Sequence, residues 1–167
     1  METVHTIKLR KSVRQYSDKP IDKETLRLLV DAARLAPTGR GVEPWEFVIV
    51  QDEEKLASIA NIAPNGSFVK GAGALIAVFC KETKYYIEDG CAATENILLA
   101  ATDSGIGSCW IAGDKKDYCE EIGSILGVPS HFKLVSMISL GYPEIVDESP
   151  GNRQKRPLNE VIHWECF

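Results

Sequence analysis

Most of the motifs that identify common enzyme classes are missing from this sequence. It contains three histidines and five cysteines, but they form neither an HExxH pair nor a CxxC pair. There is no GxSxG segment, no GxxxxGKS/T loop and no GxGxxG fingerprint. The sequence therefore gives no support for a metal site, a serine hydrolase, a nucleotide kinase or a Rossmann-type dinucleotide-binding protein.

Long apolar runs are also missing. No segment approaches the roughly 18 apolar residues that span a bilayer, and residues 1–12 lack the unbroken apolar core of a secretory signal. The five cysteines are odd in number and scattered, which is typical of free thiols in a reducing compartment. We therefore predict a cytoplasmic protein without a membrane partner, in which Cys80 and Cys109 belong to core strands.

The composition is that of an ordinary globular protein. The 167 residues are 44% hydrophobic and 26% charged, with a formal net charge of -5. A chain of this length can bury about 70% of the surface that its unfolded form exposes, which predicts a single domain over residues 1–167. The acidic balance disfavours a nucleic-acid partner, and cations gathered locally in such a chain indicate a small anionic ligand.

Hydrophobic periodicity predicts both helices and strands. Helices are predicted near residues 4–9 and over residues 22–35, 52–63, 86–104 and 114–127, and strands over residues 47–50, 74–80, 108–112 and 134–140. Asp22, Asp52 and Asp114 are predicted to cap three of the helices. The run at 74–80 is apolar throughout, which is expected of a central strand covered on both faces, so helices should lie on both sides of the sheet.

The stretch Arg10-Lys11-Ser12-Val13-Arg14 is the strongest local candidate for a binding site. Three cations and a hydroxyl lie within five residues, and such donors suit an anionic group such as a phosphate. A second basic stretch occupies residues 153–156. The alternative is a solvated basic turn, which is the commoner state of a charged run. Since the chain offers no evident protein group for redox or nucleophilic chemistry, it needs a borrowed reactive group.

Five motifs follow one another along the chain: RKSVRQY at residues 10–16, APTG to EPWEF at 36–47, ENILLAA at 95–101, GIGSCWI at 105–111 and LGYP at 140–143. RPL at residues 156–158 and HW at 163–164 close the series. In this order and spacing they resemble the nitroreductase family of FMN-dependent oxidoreductases. The resemblance covers nearly the whole chain.

The resemblance implies an α+β fold, a three-layer α/β/α sandwich with a central, mostly antiparallel sheet flanked by helices. It also implies an intertwined homodimer with two FMN sites at the subunit interface. The tail, residues 144–167, is polar and irregular but ends with apolar residues, and we expect it to dock on the partner subunit.

The same resemblance assigns the cofactor contacts. The FMN phosphate, ribityl chain and ring edge are matched by Arg10, Ser12 and Arg14, with Lys11 beside them. The loop that passes one side of the flavin from the partner subunit is matched by Pro37, Thr38 and Gly39. The segment whose backbone amides approach the ring is matched by Trp110, Ile111, Ala112 and Gly113. The late pair that completes the phosphate site is matched by Arg153 and Lys155, with Arg156 as a near substitute.

The activity implied by the resemblance is ping-pong hydride transfer. NAD(P)H reduces the flavin at N5 and leaves, and a nitroaromatic, a quinone or a similar small oxidant takes its place, with no catalytic protein acid and no metal. Arg14 or Lys11 is the candidate cation for the N1 and O2 edge of the ring. Two alternatives stay open: an FMN-binding storage or sensor protein, and divergent flavin chemistry such as dehalogenation or dehydrogenation. Neither the physiological substrate nor the choice of NADH or NADPH can be read from the residues.

Some residues depart from the family pattern. The family loop carries Asn and then Gln before Pro-Trp, where this chain has Gly41 and Glu43. The lost amide removes a flavin contact, and the Glu43 carboxylate could instead meet Arg40. The chain also lacks the helical insertion that covers the flavin in longer members, which predicts an open site with loose substrate selection. Trp45 and Trp110 are both more simply explained as core residues than as flavin contacts.

Overall fold

The computed structural model describes residues 2–146 and 155–167. Within them the helices are α1 (Thr3–Leu9), α2 (Lys23–Arg34), α3 (Glu53–Ile62), α4 (Tyr86–Asp103) and α5 (Cys119–Ile125). The strands are β1 (Trp45–Val50), β2 (Ala74–Lys81), β3 (Gly107–Ala112) and β4 (Phe132–Gly141). Short 3-10 turns lie at Gly39–Gly41, Ser67–Gly71 and Leu158–Glu160.

The strands form one antiparallel sheet in the order β1-β2-β4-β3. Strand β2 lies inside the sheet, and each of its residues except Lys81 is buried. The unbroken apolar run that predicted a central strand is thereby confirmed. Strand β3 is an edge strand, so one of its sides is open to other parts of the molecule.

The two faces of the sheet carry separate hydrophobic clusters. On one face, Ile76 and Ile138 belong to a cluster with the buried residues of α2 and α4. On the other face, Leu75 and Met137 belong to a cluster with those of α3 and α5. Because successive side chains of a strand point to opposite faces, neighbouring residues of β2 supply both clusters. This arrangement of helices, sheet and helices confirms the predicted α+β sandwich.

Two of the three predicted aspartate caps are confirmed. The Asp22 carboxylate accepts a hydrogen bond from the Thr25 N–H at 2.8 Å, and the Asp52 carboxylate accepts one from the Lys55 N–H at 2.9 Å. These bonds satisfy backbone donors that the first turn of a helix leaves unpaired. The amino ends of α2 and α3 were therefore readable from the sequence.

The predicted cap at Asp114 is wrong. Helix α5 begins at Cys119, and the residue that precedes it is Tyr118. Asp114 has a φ of 23°, and its backbone N–H donates to the Leu134 carbonyl oxygen of β4. A bond to a distant strand thus decides the backbone conformation at Asp114, where local sequence favoured a helix start.

Helix α4 is 18 residues long and crosses the face formed by β2 and β4. Its Thr94 hydroxyl lies 2.7 Å from the Ser136 hydroxyl, which pairs two buried polar groups. Cys80 and Cys109 are buried in β2 and β3, as predicted. No helix within the two described ranges is long and apolar enough to cross a bilayer.

Candidate functional site

The basic cluster, residues 10–14, runs along the free side of β3. Ser12 forms a parallel bridge with Ser108, and the Val13 N–H donates to the Ser108 carbonyl oxygen at 2.9 Å. Gly107 permits this approach, because a Cβ there would lie 2.8 Å from a side-chain carbon of Val13. The sequence neighbours of Ser12 are therefore held against the edge of the sheet.

Tyr16 holds the segment at its other end. Its hydroxyl donates to the Val13 carbonyl oxygen at 2.6 Å and lies 2.7 Å from the Ser139 Oγ. Burial raises the pKa of Tyr16, so this hydroxyl stays a donor at neutral pH. Gly141 makes room for the ring, since a Cβ there would lie 2.6 Å from it.

Alternate residues of β3 turn their backbone polar groups away from the sheet. The Ser108 carbonyl accepts from Val13, and the Ala112 carbonyl accepts from the Tyr118 hydroxyl. Backbone groups of residues two apart in a strand point to the same edge. The N–H groups of Trp110 and Ala112 consequently point towards the space beside β3.

A cavity of about 540 Å³ lies beside this edge. Its volume is within the range of small-molecule sites, about 300–1,000 Å³. Arg14 lines it, with the guanidinium carbon 5.6 Å from the centre of the Phe68 ring. The cavity also has two further aromatic side chains, Trp110 and Tyr118. It thus combines a cation, aromatic walls and outward backbone donors, which suits a planar, polar-edged ligand.

The electrostatics of Cys109 indicate that the cluster converges on the same place. Burial raises the pKa of this thiol, while the positive charges of Arg14 and Arg10 and a hydrogen bond with Ser12 oppose the rise. Three of the predicted cofactor residues therefore lie near one point of β3. The Arg10 Nε is 3.9 Å from the Oε1 atom of Glu95 on α4. This ion pair is reached by solvent, so it holds the guanidinium only weakly.

Lys11 lies apart from this group. With Val13 it lines a second cavity of about 290 Å³, between α1 and the end of α4. Side chains alternate along the extended segment, which places Lys11 and Arg14 in different cavities. A cofactor contact by Lys11 stays a prediction.

Gly113 joins the cavity edge to β4. Its N–H donates to the Val135 carbonyl oxygen at 3.1 Å, so this amide is already used within the fold. A Cβ at Gly113 would lie 2.5 Å from the Leu134 carbonyl oxygen. The Tyr86 hydroxyl donates a hydrogen bond to the Asp114 carboxylate at 2.9 Å. Burial is the main reason that the pKa of Tyr86 is raised to about 12, and the nearby carboxylate adds to the rise. Helix α4 and strand β4 therefore both anchor the end of β3.

The predicted loop Pro37-Thr38-Gly39 is attached to α4 and does not line the 540 Å³ cavity. The Asp89 carboxylate accepts hydrogen bonds from the Thr38 hydroxyl at 3.0 Å and the Gly39 N–H at 2.8 Å. The suggested ion pair between Arg40 and Glu43 is absent from the described part of the chain, and both residues have positive φ, 62° and 49°.

The remaining predicted residues lie in different parts of the chain. Trp45 is buried in the core, as expected, whereas Trp110 is 37% exposed at the cavity. Lys155 is exposed on the tail and does not line the 540 Å³ cavity. Arg153 lies outside the described residues.

Sequence reasoning missed several cavity residues. Asn65, Phe68 and Lys116 line the same space as Arg14, but they come from the turn after α3, from the 3-10 turn Ser67–Gly71 and from the loop before α5. The sequence signal for Asn65 is a polar amide between Pro64 and Gly66, directly after the predicted helix over residues 52–63. Nothing local distinguished Phe68 or Lys116.

Comparison with known proteins decides the family. The family model described as the Nitroreductase family matches residues 7–86 and 80–142. The chain belongs to the nitroreductase family. It is 35% identical over 159 residues to a Methanothermobacter thermautotrophicus protein with the provisional name NADH dehydrogenase/NAD(P)H nitroreductase, covering 92% of this chain and 82% of that protein.

Solved structures of the nitroreductase family have the same fold. A provisionally named NADH dehydrogenase/NAD(P)H nitroreductase from Bacteroides thetaiotaomicron is 34% identical with a TM-score of 0.93, covering 100% of this chain and 99% of that one. An FMN-dependent nitroreductase from Clostridium difficile R20291 is 30% identical with a TM-score of 0.90, and the match covers 98% of this chain and 99% of that one. The predicted family and fold are confirmed.

Proposed function

We propose that this nitroreductase transfers electrons from NAD(P)H to a nitroaromatic, a quinone or a similar small oxidant by ping-pong turnover on FMN. Membership of the family makes the chain an NAD(P)H oxidoreductase with FMN as cofactor, in line with relatives named NADPH-flavin oxidoreductase and FMN reductase. The observation that carries the proposal is the cavity beside β3, where Arg14, aromatic side chains and outward amides meet.

The donor set of this chain fits FMN. Arg10 and Ser12 are suited to the phosphate and ribityl groups, and Arg14 to the polar edge of the ring. The N–H groups of Trp110 and Ala112 would donate hydrogen bonds to heteroatoms of the ring. When bound, FMN supplies the group that accepts a hydride from the nicotinamide and passes electrons to the oxidant.

Two side chains at the cavity, Cys109 and Tyr118, could in principle act as nucleophiles, but neither is activated. Burial raises the pKa of the Cys109 thiol and of the Tyr118 phenol, so both remain protonated at neutral pH. The Tyr118 hydroxyl donates a hydrogen bond to the Ala112 carbonyl oxygen, which stabilises the end of β3. This supports a reaction whose reactive group belongs to the cofactor.

The test starts from the purified protein loaded with FMN. We expect a yellow protein that is bleached by NADH or NADPH under anaerobic conditions and regains its colour when a nitroaromatic or a quinone is added. Bleaching without recovery would indicate a storage or sensor protein. Recovery only with a halogenated phenol would favour dehalogenation, the activity named for the relative iodotyrosine deiodinase of Thermotoga neapolitana. Failure to bind FMN would contradict the proposal.

We also propose that the working unit is a homodimer in which the tail docks on the partner. Leu158 is 70% exposed and Trp164 is 82% exposed, although both are large apolar side chains. The hydrogen bonds of residues 155–167 join the tail only to itself, among the residues that the structure describes. Apolar surface of this kind needs a cover, and a second copy supplies one. The free thiols support the cytoplasmic location that we predict for this dimer.

Removing residues 155–167 is expected to convert the dimer into monomers or aggregates, because the apolar tail then no longer bridges the subunits. Sedimentation velocity of the loaded protein would measure the change. Leu28→Ser is the matched control, since Leu28 is an exposed apolar residue of α2 that is 54% exposed. A flavin-loaded dimer of the shortened chain would refute the docking role of the tail.

A further inference from the structure

Asp89 is a buried carboxylate with an unusual set of partners. It lies in α4 and is only 4% exposed. No ion pair involves Asp89 in the described part of the chain; its oxygens accept from the Gly39 N–H at 2.8 Å and the Thr38 hydroxyl at 3.0 Å. A buried carboxylate is costly unless its oxygens are hydrogen-bonded. The side-chain contacts of Asp89 are thus directed at one loop, residues 38–43.

That loop needs an external anchor. Arg40 and Glu43 have φ values of 62° and 49°, a backbone region that side chains other than glycine rarely adopt. Thr38 connects them to the anchor, because its Oγ also accepts from the Glu43 N–H at 3.0 Å. The loop surface from Arg40 to Glu43 is exposed, so packing contributes little to its conformation.

Tyr85 fixes the loop from a second side. A Cβ at Gly39 would lie 2.7 Å from the Tyr85 ring, so the loop backbone lies directly against the amino end of α4. Asp89 is one turn further along the same helix. The Gly39 peptide is therefore held by the Asp89 carboxylate and lies next to the Tyr85 ring.

We propose that Asp89 is a positioning residue for the flavin site, which holds Thr38 and Gly39 in the conformation that faces the cofactor. The inference rests on the proposed function and on the proposed homodimer, in which this loop reaches the FMN site of the partner subunit, because it does not line the cavity of its own chain. The carboxylate is suited to the task because it accepts two bonds at once. An amide of the same shape has one oxygen only, and it would leave either the Thr38 hydroxyl or the Gly39 N–H without its acceptor.

The test compares Asp89→Asn, Thr38→Val and the double variant in the full-length protein. We expect each single variant to raise the FMN dissociation constant about 10-fold, as measured by quenching of flavin fluorescence. The double variant should be little worse than the weaker-binding single variant, because both changes break the same link. Asp31→Asn is the matched control, since Asp31 is an exposed helical aspartate paired with Arg34.

A second measurement follows the loop without the cofactor. Trypsin can cut after Arg40, and we expect Asp89→Asn and Thr38→Val to be cut at least about 10-fold faster than the parent apo-protein because the loop is released. Unchanged cutting would overturn the anchoring role. Faster cutting with unchanged FMN affinity, or strictly additive effects in the double variant, would overturn the link between the anchor and the flavin site. If the parent protein itself bound no FMN, the proposed function would fail while the cutting rates still reported on the anchor.

Discussion

Arg14→Ala is expected to weaken FMN binding about 10- to 100-fold. Arg14 lines the 540 Å³ cavity, and its guanidinium is held 5.6 Å from the Phe68 ring, close to the outward edge of β3. A hydrogen bond from a charged donor contributes about 1.5–3 kcal/mol, and each 1.4 kcal/mol corresponds to a factor of ten. Loss of the guanidinium removes that bond and its contact with the Phe68 ring.

Titration of apo-protein with FMN, followed by flavin fluorescence, measures this loss. Arg14→Lys keeps the charge but not the planar fork of donors, so it should retain part of the affinity. Arg27→Ala is the matched control, because Arg27 is an exposed arginine of α2 paired with Glu24 at 2.8 Å. Equal affinity of Arg14→Ala and the parent protein would place the ring edge elsewhere.

Gly113→Ala is expected to lower the stability of the fold by about 3 kcal/mol. The added Cβ would lie 2.5 Å from the Leu134 carbonyl oxygen and 2.6 Å from that of Val135. These are backbone atoms of β4, so no flexible side chain can move aside, and β3 must shift. For a protein of this size such a change lowers the melting temperature by roughly 6–12 °C.

Calorimetry of the apo-protein measures the effect. Gly71→Ala is the matched control, because no atom lies within 4 Å of the Cβ position there and its melting temperature should change little. FMN affinity should fall in Gly113→Ala as well, since the same shift displaces the outward amides of Trp110 and Ala112. An unchanged melting temperature would mean that β4 accommodates the methyl group.

Local sequence rules succeeded wherever the deciding atoms were close along the chain. Asp22 and Asp52 cap helices through donors three residues away. The same rule failed at Asp114, whose N–H bonds to Leu134, twenty residues on, instead of starting a helix. The local residue pattern that predicts a helix cap contains no information about a competing hydrogen-bond acceptor on a distant strand.

The candidate site shows the same division. The basic cluster could be read from five consecutive residues, but its ligand could not, because a charged run alone equally describes a surface turn. Asn65, Phe68 and Lys116 join Arg14 only when α3, α5 and β3 come together. The partner of Thr38, Asp89, is 51 residues away and was not singled out by any motif.

The alternation of helices and strands, the central position of β2 and the family could all be predicted from the amino-acid sequence, since they depend on periodicity and on the order of short motifs. Three features became visible only in the folded chain: which cations share a cavity, which backbone amides of β3 remain open, and how Asp89 holds the loop at Thr38. Those features depend on hydrogen bonds and contacts between segments far apart in the chain, and they form only when the sheet and helices pack together.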